Sequence, residues 1–165
     1  MSLKDPNVSR PGARKRVAIV LANPAVSPTT GWPVGFWWSE LTHPWYVFSE
    51  KGYEVKVFSY VGGRVEADAL SNPSDPSGYS AGDLITQGFL HTPSLMAMLQ
   101  DTPPVSALGV ASFDAILVAG GQAPMVTMAD TPVLHQKFVE FFVAGKVAAA
   151  LCHGSAVLRY ARLPD

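Results

Sequence analysis

The chain has 165 residues, with 12 Lys+Arg against 13 Asp+Glu for a formal charge of −1 at pH 7. Apolar residues make up 48% and charged residues 15%, a balance too neutral for a nucleic-acid-binding surface and too apolar for disorder. No apolar run approaches the ~18–20 residues of a membrane span, and the N-terminus MSLKDPNVSRPGARKR lacks the apolar stretch of a secretory signal. A chain of this size is expected to form one domain burying about 70% of its unfolded surface. The single cysteine cannot form an internal disulfide, so a reducing, cytoplasmic setting is expected.

Residues 1–15 hold Pro6, Pro11 and Gly12 among polar residues and read as a flexible arm, leaving 16–165 for the domain. Segment 16–22, RVAIVLA, is apolar without alternation, as in a strand buried on both faces. A Pro/Thr/Gly loop then runs through Gly31, Trp32 and Pro33. Segment 35–51 carries aromatics and Leu at helical spacing and stops at Gly52, and Pro44 predicts a kink or a restart within it. Segment 53–60, YEVKVFSY, alternates and predicts a second strand. Residues 62–82 read as mostly loop, with NPSDPSG the strongest turn cluster.

Residues 83–100 predict one or two short helices broken at Pro93. Segment 114–119, DAILVA, predicts a strand halted by Gly120 and Gly121, and 132–144 a helix. Segment 147–151, VAAAL, predicts another buried strand, followed by a helix over 154–163. This alternation predicts an α/β domain with a mostly parallel sheet. No strand follows the last helix, so the chain reads as C-terminally incomplete, or as leaving a sheet edge for another chain to cover.

The chemistry concentrates in VAAALCHGSAVL, where a strand runs through Cys152, His153 and Gly154 into a helix. Small residues around a strand-to-helix turn project a nucleophile, here Cys152, at the carboxyl end of the sheet. The following helix is expected to lower the Cys152 pKa. His153 could activate the thiol if a third group oriented its ring. The glycines at 120 and 121 let backbone N–H groups approach a ligand, as an oxyanion site requires. Glu40 is the one acid in an aromatic stretch, a setting that raises a carboxyl pKa. The string GGQAP lacks the Lys and Ser/Thr of a phosphate loop. Glu40 and His43 with Cys152 or His153 lack a ligand framework, so no metal site is expected. His43, His91 and His135 read as structural or solvated, and Trp37 and Trp38 as core packing rather than a binding patch.

Four segments, GFWWSELTHPWYVFSEKGYEV, NPSDPSG, FDAILVAGGQAPM and VAAALCHGSAVL, together resemble the ThiJ/PfpI superfamily, which shares its fold with class I glutamine amidotransferases. Within it, the resemblance is to the branch of glutathione-independent glyoxalases and heat-shock chaperones. It implies a flavodoxin-like three-layer sandwich with Cys152 as nucleophile and Glu40 hydrogen-bonded to its sulfur or shuttling protons. His153 matches the histidine after the cysteine, and the backbone of Gly121 and His153 would form the oxyanion site. The implied reaction converts methylglyoxal, a small aldehyde, to lactate without metal, glutathione or other cofactor. A homodimer is also implied, with neither nucleic acid nor membrane as partner. The acid that orients the histidine in such members would lie beyond Asp165. An intracellular protease or amidase, a stress chaperone and a redox sensor using the same cysteine are the alternative functions.

Overall fold

The structure, a computed structural model, describes residues 14–164; the expected N-terminal arm lies outside them except for Arg14 and Lys15. Four parallel strands form the central sheet: β1 (Arg16–Leu21), β4 (Glu54–Ser59), β5 (Ala115–Val118) and β6 (Val147–Ala150), in the order β4-β1-β5-β6. Two-residue strands β2 (Ala25–Val26) and β3 (Pro33–Val34) pair antiparallel beside it. Leaving β1 toward β4 and returning to β5 on its other side creates a switch point at the carboxyl ends of the strands, where loops diverge and open a crevice.

The uninterrupted apolar runs are explained by burial on both faces of the sheet. Ala18 and Val20 of β1 and Ile116 and Val118 of β5 face Leu134, Phe138 and Phe141 of α5 (Pro132–Val143). Val17, Ile19 and Leu21, with Leu117, face the opposite layer, which holds Trp38 and Leu41 of α1 (Trp38–Glu50) and Phe89 of α2 (Leu84–Leu90). A strand alternates its side chains between faces, so two apolar layers demand apolar residues at every position. This is the flavodoxin-like sandwich expected from the sequence.

Pro93 opens α3 (Pro93–Ala97), so the predicted break there separates two short helices. The turn cluster is built from side chains: Asn72 Oδ1 accepts from Ser74 N at 2.9 Å, and Asp75 Oδ1 from Ser77 N at 2.9 Å. A five-residue helix not anticipated from sequence, α4 (Ala123–Thr127), follows the glycine pair.

Three expectations change. Helix α1 starts at Trp38 rather than residue 35 and runs through Pro44 to Glu50. Residues 35–37 are instead pinned as extended chain: Phe36 N donates to Glu66 O at 3.1 Å and Trp37 N to Gly120 O at 3.3 Å. Segment VAAAL forms an edge strand rather than a fully buried one, with Val147 61% exposed, because β6 pairs with β5 alone among the described residues. After it, a 3-10 turn (Cys152–Ala156) leads into α6 (Val157–Tyr160), which is only four residues long, and 161–164 have no regular structure.

Candidate active site

Register brings the reactive segments together. Val118 of β5 pairs with Ala150 of β6, and Leu151 N donates to Val118 O at 2.9 Å. Two residues beyond that pair stand Gly120 on one strand and Cys152 on the other. Cys152 has φ 45, the only positive φ at a non-glycine residue among those described. A side chain in that left-handed region costs about 1–3 kcal/mol, and such strain persists where surrounding structure enforces it. Here the enforcement is close packing: a Cβ on Gly154 would collide with the Val118 carbonyl.

Gly121 supplies the other wall. Its φ is +101, and a Cβ there would stand 2.5 Å from the Gly35 carbonyl oxygen, so no side chain fits. With both glycines bare, the N–H groups of Gly121 and His153 reach the Cys152 sulfur. Glu40 arrives from the first turn of α1. Its Oε2 accepts the Gly120 N–H at 2.7 Å, and its carboxylate also takes a hydrogen bond from the Cys152 thiol.

These contacts oppose each other. Cys152 is exposed as a residue, but partial desolvation of its sulfur raises its pKa and the Glu40 charge raises it further, while the His153 and Gly121 N–H groups pull it down without prevailing. The expected lowering by a helix terminus is therefore corrected: α6 is too short to carry a large macrodipole, and a carboxylate sits beside the sulfur. The thiol stays protonated near neutrality, its hydrogen bond accepted by the Glu40 carboxylate.

His153 is oriented by a backbone group. Its Nδ1 lies 2.9 Å from the Gly121 carbonyl oxygen. A carbonyl only accepts, so Nδ1 carries the proton and, in the neutral ring, Nε2 holds the lone pair.

Cys152, His153, Glu40 and Gly121, singled out from the sequence, thus meet in one place. The other histidines lie apart: His43 Nε2 is 2.8 Å from Asp83 Oδ1, His91 Nδ1 bonds Gln87 O, and His135 bonds Met128 O and stacks on Tyr160. Trp38 is core, whereas Trp37 is half-buried and meets Tyr79 edge-on.

Sequence reasoning missed Asp68, which is 6% exposed in the stretch read as loop. Its Oδ1 accepts Gly35 N at 2.9 Å and its Oδ2 accepts Gln122 N at 2.6 Å. Burial raises its pKa; the two N–H groups, and the charge of His153, act against that. An Asp–x–x–Ser pair at 68 and 71 is a turn signal, but nothing local marks the carboxylate as buried.

No family model matches the chain. It is 26% identical over 144 residues to the glutathione-independent glyoxalase hsp3101 of Schizosaccharomyces pombe, covering 79% of this chain and 52% of that protein. The rapid encystment protein of 24 kDa from Francisella tularensis superposes with a TM-score of 0.75 at 27% identity, over 87% of this chain and 61% of that one. Glyoxalase III of Candida albicans superposes at 0.74 and 22% identity, over 91% of this chain and 62% of that one. The chain also shares its fold with a ThiJ/PfpI domain protein of Brachyspira murdochii, at a TM-score of 0.60 and 17% identity, over 91% of this chain and 65% of that one. It spans about half the length of the curated relative it matches. No helix among the described residues is long and apolar enough to cross a membrane.

Proposed function

We propose that this chain is a ThiJ/PfpI member and carries the nucleophile of a glutathione-independent glyoxalase, with Cys152 adding to the aldehyde of a small 2-oxoaldehyde such as methylglyoxal. The observation that carries this reading is the Cys152 sulfur held at a strained turn between the Gly121 and His153 N–H groups and the Glu40 carboxylate. The likeness to proteins named as glyoxalases supports it.

The sulfur forms a bond to the aldehyde carbon C1 as the thiol proton passes to Glu40 and the carbonyl electrons move to oxygen. The two N–H groups beside the sulfur stabilise that oxyanion, which takes a proton to give a hemithioacetal. His153, with its Nε2 lone pair, then removes the proton on C1 to give an enediol and returns a proton to C2. C1 is oxidised and C2 reduced within one molecule, so no external electron carrier is required. Water cleaves the resulting thioester, releasing lactate and restoring the thiol.

The test is conversion of methylglyoxal to lactate without glutathione, by this chain and by Cys152→Ala. Turnover present in the first and absent in the second is the expected result. Turnover surviving in Cys152→Ala would remove Cys152 from its role, and turnover in neither would reject the reaction for this chain.

A further inference from the structure

We infer that Asp68 is a positioning residue for this site: its buried carboxylate joins the segment entering α1 to the loop after β5, and through them holds Glu40 and the Gly121 N–H around Cys152. One carboxylate oxygen accepts Gly35 N and the other accepts Gln122 N, the residue after Gly121. The backbone around Asp68 reinforces the first tie. Its N–H donates to Phe36 O at 2.7 Å, and its carbonyl accepts the Ser71 hydroxyl at 2.7 Å. The same Ser71 oxygen accepts Trp38 N at 3.1 Å, a helix-start N–H with no partner inside α1. Glu40 is two residues further along that first turn.

The second tie fixes the loop that supplies one N–H to the sulfur and the carbonyl that orients His153. Glycines let these backbones approach, yet bare glycines hold nothing in place; the Asp68 bridge supplies the hold. Asparagine in its place would keep one acceptor and turn an amide NH₂ toward the other N–H, opening one tie.

The inference rests on the reading of Cys152 as the reacting thiol, so it is tested on the thiol directly. The rate of Cys152 alkylation by iodoacetamide is followed against pH in the wild-type chain, in Asp68→Asn and in Leu134→Val. Leu134 is fully buried on α5, in the layer facing away from α1, and its variant is the destabilised control. The alkylation midpoint of Asp68→Asn is expected to move by about half a pH unit or more, upward where the Gly121 N–H that stabilises the thiolate is loosened and downward where Glu40, which opposes it, draws away. Methylglyoxal turnover is expected to fall on the order of 10–100-fold in kcat with KM little changed, the pattern of misplaced groups. Should Asp68→Asn not fold, Asp68→Glu, which keeps the charge but not the span, is measured the same way.

A midpoint in the folded Asp68 variant equal to wild type would overturn the inference, as would an equal shift in Leu134→Val. A shifted midpoint in a chain that never turns over methylglyoxal leaves the positioning role standing and removes the reaction. An unshifted midpoint with turnover intact does the reverse.

Discussion

Glu40 and Gly120 lie 80 residues apart in the chain and are joined by a 2.7 Å hydrogen bond from the Gly120 N–H to the Glu40 carboxylate. That bond leaves Glu40 against the Cys152 thiol. The same carboxylate thus braces the glycine loop and, after desolvation, adds to the rise in the pKa of the sulfur.

Replacing Glu40 by Gln separates those two effects. The partial desolvation of the Cys152 sulfur remains, but the neighbouring negative charge and its acceptor are lost, so the thiol pKa falls. Iodoacetamide should then alkylate Cys152 faster at neutral pH than in the wild type. Turnover should nevertheless drop by about 10²-fold or more, because the proton acceptor is gone. A thiol made both more reactive and less productive would identify Glu40 as more than a brace.

Cys152 itself is strained, and glycine relieves that strain. Cys152→Gly should raise stability by about 1 kcal/mol, read as an upward shift in thermal midpoint, because a φ of 45 is free of a Cβ penalty in glycine. The same variant should have no turnover. Loss of stability instead would mean that the sulfur contacts outweigh the backbone strain.

Gly121→Ala should act oppositely. A Cβ 2.5 Å from the Gly35 oxygen, at a φ of +101, pushes the glycine loop away from the segment entering α1. A destabilisation of at least about 1–3 kcal/mol in chemical unfolding is expected from the strain alone. The displaced N–H should also slow Cys152 alkylation near neutrality.

Asp83 links stability to pH. Partial burial pushes its pKa up, but the hydroxyl and N–H of Thr86, with His43, outweigh burial and hold it below the ordinary carboxylate value. A carboxylate lowered on folding contributes stability that is present above its unfolded pKa and lost as pH falls through its folded one. Asp83 also caps α2, accepting Thr86 N at 3.0 Å. Asn caps about as well as Asp but does not titrate. Asp83→Asn keeps the cap but loses the charge, so it should be less stable than wild type near pH 7, with the difference closing as pH falls below about 4, measured by urea titration.

The sequence by itself determined the layers and the elbow. RVAIVLA and DAILVA could only be strands covered on both faces, and a strand meeting Cys152, His153 and Gly154 in a run of small residues had to turn sharply there. Those are local consequences of side-chain size and period. Tertiary structure decided the rest. VAAAL reads as buried because alanine packs equally well in a centre or at a half-covered edge, and only the strand order makes it the edge. The 35–51 stretch has helical spacing throughout, yet residues 35–37 are drawn straight by partners at 66 and 120 that no local pattern reveals. The upward direction of the Cys152 pKa comes from desolvation of the sulfur and from Glu40 crossing the sheet end to reach it, neither of which is a local property of the sequence. Asp68 looks like any loop aspartate until two remote N–H groups converge on its carboxylate. Composition and periodicity record what each residue prefers, whereas a buried carboxylate owes its place to chain segments brought together only by folding.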